Sequence, residues 1–132
     1  MSMTELVISK AKAEDSKDVA LMAKWQSNLE SLSAFDNDWD GEGTVAVSPT
    51  AISNCRDILN RSTRHISELE SIIPTPFGSV CLEWRVKSDI VNAEISANVI
   101  AFYRDSKDSP FFYEYSEDLR SGINELIHQL GV

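Results

Sequence analysis

Val80-Cys81-Leu82-Glu83-Trp84-Arg85-Val86-Lys87-Ser88-Asp89-Ile90-Val91-Asn92-Ala93-Glu94-Ile95-Ser96-Ala97 is the stretch on which the fold turns. Val80, Leu82, Trp84 and Val86 alternate with Cys81, Glu83, Arg85 and Lys87, and Val91, Ala93, Ile95 and Ala97 alternate with Asn92, Glu94 and Ser96. A period of two places one set on a buried sheet face and the other on a wet face. The break at Lys87-Ser88-Asp89 is a turn, too short for a parallel crossover, so the two strands pair antiparallel. A second turn at Ala97-Asn98 leads into a strand over Val99–Arg104. The polar run Asp105–Pro110 leads into a fourth, aromatic strand over Phe111–Tyr115.

Outward from this meander the periodicity is helical. From Ser16, which with Asp18 reads as an N-terminal cap, Val19, Met22, Gln26 and Leu29 recur at spacings of three and four, with Leu21, Trp25 and Leu32 beside them. Ser48-Pro49 announces a second helix, since serine caps free amides and proline tolerates the first helical position. Its stripe runs through Ile52, Cys55, Ile58, Ile66, Leu69 and Ile73 to about residue 72, and Pro74-Thr75-Pro76 stops it. Ser116, with Glu117 and Asp118, is the expected cap of a last helix that carries Leu119, Ile123, Leu126, Ile127 and Leu130. Residues 1–15 read as a lead-in of undetermined form and 16–132 as one α+β domain. The expected fold class is α+β, a two-layer sandwich ordered helix, helix, four-stranded antiparallel meander, helix.

Composition bounds the function. The 132 residues carry a net charge of -9 from 12 basic and 21 acidic side chains. Phosphate binding needs a concentrated basic surface, so nucleic acid and anionic membranes are poor partners for this chain; the acidity fits solubility, a basic protein partner or, before either, ordinary bacterial surface chemistry. Only residues 49–76 are neutral, and their arginines Arg56, Arg61 and Arg64 lie close together. Cys55 and Cys81 stand in apolar contexts, far apart in sequence, and read as buried thiols of a reducing compartment. The polar, charged N-terminus reads as lacking a secretory leader, which makes a cytoplasmic location the expectation.

The densest chemistry lies in Asp36-Asn37-Asp38-Trp39-Asp40-Gly41-Glu42-Gly43. Asp36, Asp38, Asp40 and Gly41 match positions one, three, five and six of a helix-loop-helix calcium site. Position twelve, which requires a bidentate glutamate, is Val47. The competing reading is a rigid corner: Trp39 buried against the helices, Asp40 accepting backbone amides, and Gly41 and Gly43 taking backbone angles closed to other residues.

Trp39-Asp40-Gly41-Glu42-Gly43, followed by Ser48-Pro49 and a helix, then Pro74, Pro76 and Gly78, then Val80-Cys81-Leu82-Glu83-Trp84, resembles a group of small uncharacterised bacterial proteins. That group shares a Trp-Asp-Gly-x-Gly segment, a proline a few residues on, and a later Gly-x-Val-x-Leu-Glu-Trp strand. The resemblance spans roughly residues 29–86 and implies no activity. It implies that Trp39, Gly41, Gly43, Pro49 and Trp84 are structural, which favours the corner over the calcium loop. Thr44 departs from the alanine usual in that group.

Other candidates lie on the wet sheet face. Glu83, Arg85 and Glu94 are expected to project there, with Glu83 and Glu94 near each other across the first hairpin; paired carboxylates suit acid–base or metal chemistry. His65 and His128 fall on helices without a local nucleophile signature. The leading expectation is a non-enzymatic interaction protein, antitoxin-like, immunity-like or accessory, with no cofactor. Two alternatives stay open: a small-ligand binder or enzyme using Asp40, Glu42, Glu83 and Glu94, and calcium binding through residues 36–47. A homodimer through the 111–115 strand or the sheet face is compatible with the leading reading.

Overall fold

A computed structural model describes residues 3–106, 110–115 and 118–132, with residues 3–15, 111 and 115 described in their backbone only. Helix α1 (Met3–Ser31) ends in a 3-10 turn at Leu32–Ala34 and is followed by α2 (Pro49–Arg61) and a second 3-10 segment, Thr63–Glu68. Strands β1 (Leu69–Pro74), β2 (Val80–Val86), β3 (Asp89–Ile95), β4 (Ile100–Asp105) and β5 (Phe111–Tyr115) form one antiparallel sheet in the order β1-β2-β3-β4-β5, and α3 (Leu119–Leu130) closes the order of elements. The class is α+β as expected, with five strands in place of four.

The additional strand corrects the reading of residues 62–74. Helix α2 stops at Arg61 because Ser62 leaves helical geometry (φ -117°, ψ 35°) and its hydroxyl donates to the Ile58 carbonyl at 2.6 Å. Ile66, Leu69 and Ile73 keep a helical spacing by coincidence: Leu69 lies opposite Trp84 and Ile73 opposite Cys81 in the sheet. The paired isoleucines Ile72-Ile73 favour extended backbone, and Pro74, which lacks a donor, is tolerated because β1 is an edge.

The N-terminal expectation also changes. Helix α1 begins at Met3, so Ser16 and Asp18 lie within it, and the lead-in is helical. Residues 3–15 contain no glycine or proline, and nothing there interrupts a helix entering from the N-terminal side. Val19, placed on the apolar stripe by its spacing, is exposed, and burial starts with Leu21, Met22 and Trp25 and is complete at Leu29. The Ser116 cap lies outside the described residues. Asp118 caps α3 instead: its carboxylate accepts from the Ser121 amide at 3.1 Å and the Ser121 hydroxyl at 2.6 Å, which hold its pKa below the usual carboxylate value. The Ser48 cap is as expected, its hydroxyl accepting from the Ala51 amide at 3.2 Å with Pro49 at the first helical position.

All three helices pack on one sheet face. Val80, Leu82, Trp84 and Val86 of β2, Val91, Ala93 and Ile95 of β3, and Ile100 and Phe102 of β4 are buried with Ile52, Cys55, Ile58 and Leu59 of α2 and Ile123, Leu126 and Leu130 of α3. Arg104 is the charged member of this inner face. Its guanidinium donates to Asp89 at 2.8 Å, to the Gln129 carbonyl, and to the Val132 carbonyl at 3.0 Å, so a buried cation ties two strands to the end of α3. No helix among the described residues lies on the opposite face of the sheet.

Candidate functional site

The acid segment is a corner braced by its own hydrogen bonds. Asp38 takes a left-handed angle (φ 62°) and its carboxylate accepts from the Gly43 amide at 2.6 Å. Asp40 accepts from the Glu42 amide at 2.9 Å, and Asn37 accepts from the Ala46 amide at 2.8 Å. Gly41 (φ 79°) and Gly43 (φ 82°) adopt the angles expected of them. Carboxylates engaged by their own loop's amides do not converge on a cation centre, and no group of three metal-ligating side chains occurs among the described residues. The Thr44 hydroxyl, where the resembling group has alanine, accepts from the Asp40 amide at 3.4 Å.

Trp39 is half-buried, not a core residue. It meets Phe35 edge-to-face with ring centroids 5.1 Å apart. The corner is fastened elsewhere: the Val45 amide donates to the Pro76 carbonyl and the Ser48 amide to the Gly78 carbonyl, both at 2.9 Å. A side chain at Gly78 (φ 85°) would bring its Cβ to 2.7 Å from the Ala46 carbonyl oxygen. The scattered residues Trp39–Gly43, Ser48-Pro49 and Pro76–Gly78 thus belong to two loops that dock on each other through backbone bonds, and glycine at 78 is what lets them approach.

The uncovered sheet face is where the other candidates gather. Its register places Ile73, Cys81, Glu94, Ala101 and Glu114 in one cross-strand row and Ser71, Glu83, Asn92, Tyr103 and Phe112 in the next. Arg85 follows on β2 and pairs with Glu70 at 3.1 Å. Glu83 and Glu94 are therefore diagonal neighbours: Glu83 faces Asn92, whose amide donates to it at 3.5 Å, and Glu94 faces Cys81. Glu94 also accepts from the Ser79 hydroxyl at 2.8 Å, and that hydroxyl lies 2.5 Å from Thr75 Oγ1. The acids of the loop are absent from this arrangement. The Asp40 carboxylate is engaged by the Glu42 amide within the loop, while Glu94 shares a shallow cavity of about 220 Å³ with Ser96, Val99, Ala101 and Glu114.

Cys81, expected to be buried, is half-buried on this same face, as its alternation with Leu82 requires. Its thiol pKa is raised by burial first, then by the charges of Glu94 and Glu83. Cys55, fully enclosed under the sheet, has its pKa raised strongly by burial and further by Cys81.

The sequence marks the 111–115 strand as aromatic on both sides but does not say which rings face outward, nor that Ile73 and Tyr103 join the outer face. Ile73, Tyr103 and Phe112 are 54%, 42% and 63% exposed. Alternation marks Tyr103 and Phe112 as outward once Phe102 and Tyr113 are taken as inward; these two stack at 5.4 Å between ring centroids. The aromatic run Phe111–Tyr115 hides this because both phases of the alternation are aromatic. Of the other candidates, His65 is half-buried and bonds Glu68 at 2.9 Å, His128 is exposed, Arg56 pairs with Glu30, and Arg61 bonds Asn124.

No helix among the described residues is long and apolar enough to cross a membrane. No protein-family model, curated protein or solved structure matches the chain.

Proposed function

We propose that the chain is a non-enzymatic interaction protein, of the antitoxin, immunity or accessory kind, acting in the cytoplasm, and that the bare outer face of its sheet is the contact surface. The observation that carries this reading is the cross-strand pair Tyr103–Phe112, neighbours on β4 and β5 with both rings exposed on the outer face. Apolar side chains clustered on one exposed face mark contact surfaces far more often than scattered ones do. A sheet also orders the backbone beneath such side chains before binding, so only side-chain freedom is left to lose. Kinship with the group of small bacterial proteins that the Trp39–Gly43 segment resembles is part of the same proposal.

The ligand or enzyme reading loses support because its four carboxylates fall into two separate sets, Asp40 with Glu42 and Glu83 with Glu94. The test is affinity capture from the source organism with the parent chain and with Y103S/F112S. The reading expects a stoichiometric protein that the parent retains and the folded double variant releases. Equal recovery by both refutes the assigned surface.

A further inference from the structure

We infer that the partner presents a short basic segment, with an arginine side chain seated on the outer face over Ala101, between Glu94 and Glu114 and beside the Tyr103–Phe112 pair. This deepens the contact-surface reading and rests on it. Size limits what can lie there. Four strand spacings of about 4.8 Å and six residues at about 3.3 Å give a flat footprint on the order of 400 Å². Two copies meeting face to face would bury roughly 800 Å², short of the ~1,200 Å² at which stable interfaces begin. They would also oppose Glu83, Glu94 and Glu114 to themselves, so a second copy is the wrong occupant on both counts.

Charge selects the occupant instead. The protein carries a net -9, and Arg85, the one cation that β2 projects on this face, is already paired with Glu70. Glu114 is exposed and has no partner among the described residues, while Glu94 is held by Ser79 with its second oxygen unassigned. Ala101 stands between them in the register and is small, leaving the notch of about 220 Å³ that Glu94, Ser96, Val99 and Glu114 complete. One step along β4, Tyr103 faces Phe112, and both rings are exposed. A guanidinium is planar, carries five donors that can reach carboxylates on both its edges, and stacks on aromatic rings; an ammonium has three donors on a compact charge and no plane to stack. A notch flanked by two carboxylates and bordered by aromatic rings therefore favours arginine over lysine.

The test titrates the full, isotope-labelled chain with an arginine homopeptide and its lysine counterpart at physiological salt, reading affinity and backbone-amide shifts. The inference expects the arginine peptide to bind about tenfold more tightly, with the largest shifts at Ala101, Tyr103 and Phe112. E94Q/E114Q should lower its affinity about tenfold, and A101K, which seats a lysine in the notch, should do the same. D18N/D36N removes the same two charges from other surfaces and should leave affinity within about twofold. Equal loss in D18N/D36N, equal binding of lysine, or shifts centred elsewhere would overturn the inference. The captured native partner separates the two levels of the argument: release by Y103S/F112S with full retention by E94Q/E114Q removes the arginine and leaves the face, whereas retention by both removes the face as well.

Discussion

The two faces of the sheet are made by the same strands yet have opposite characters. On β2, Val80, Leu82 and Trp84 are closed off under the helices, while Cys81 and Glu83 between them are half-buried and Arg85 is exposed. The inner face spends its side chains on packing, and nearly every residue there is fixed by volume. On the outer face Glu94 holds Ser79 and Arg85 pairs with Glu70, whereas Tyr103, Phe112 and Glu114 are exposed and free of the core's packing constraint. The difference shows where to look for function in a chain whose core explains most of its pattern: on the residues that alternate with the core.

Substitutions on each face test that contrast. Trp84→Ala should cost about 3–5 kcal/mol, the range for a core aromatic, read as a lowered denaturation midpoint at unchanged slope. Arg104→Met should cost about 3 kcal/mol, because it strands the Asp89 carboxylate and two carbonyls at the edge of the core. Trp39→Ala should cost about 1–2 kcal/mol by the same measure, less than a core residue because the ring is half-exposed and its main contact is Phe35. On the other face, Y103S/F112S should move stability by no more than about 0.5 kcal/mol per site. If it unfolds the protein, the outer face is structural and the contrast fails. The smallest expected effect is chemical. Cys81 should react with iodoacetamide more slowly than a free thiol at pH 8, and Glu94→Gln should speed it about two- to threefold by removing a charge that disfavours the thiolate. Cys55 should stay unmodified until the protein unfolds.

How much of this could be read from residues depended on how singular each signal was. The inner set of β2 and β3 was legible because strict alternation admits one reading. Residues 66–73 were misread because Ile66, Leu69 and Ile73 fall at helical spacing, although Ile66 belongs to a 3-10 segment and a bulge between Leu69 and Ser71 breaks the strand's alternation. The Glu83–Glu94 pairing came out diagonal because Lys87 adopts φ 58°, a left-handed turn that Lys-Ser-Asp does not announce, and this sets Val86 opposite Asp89. The corner at residues 36–47 was legible as a corner, through Gly41, Gly43 and the Asp40 carboxylate. Its docking on residues 76–78 was not, because it runs through backbone groups that leave no trace in side-chain identity beyond Gly78.

We propose that the outer sheet face serves contact, while the inner face holds the fold together. The most direct test pairs equilibrium unfolding with quantitative capture from the source organism for the parent and Y103S/F112S. An unchanged slope, a midpoint within the surface-substitution range and loss of the captured protein are the predicted result. Retention of that protein by the folded variant would contradict the claim.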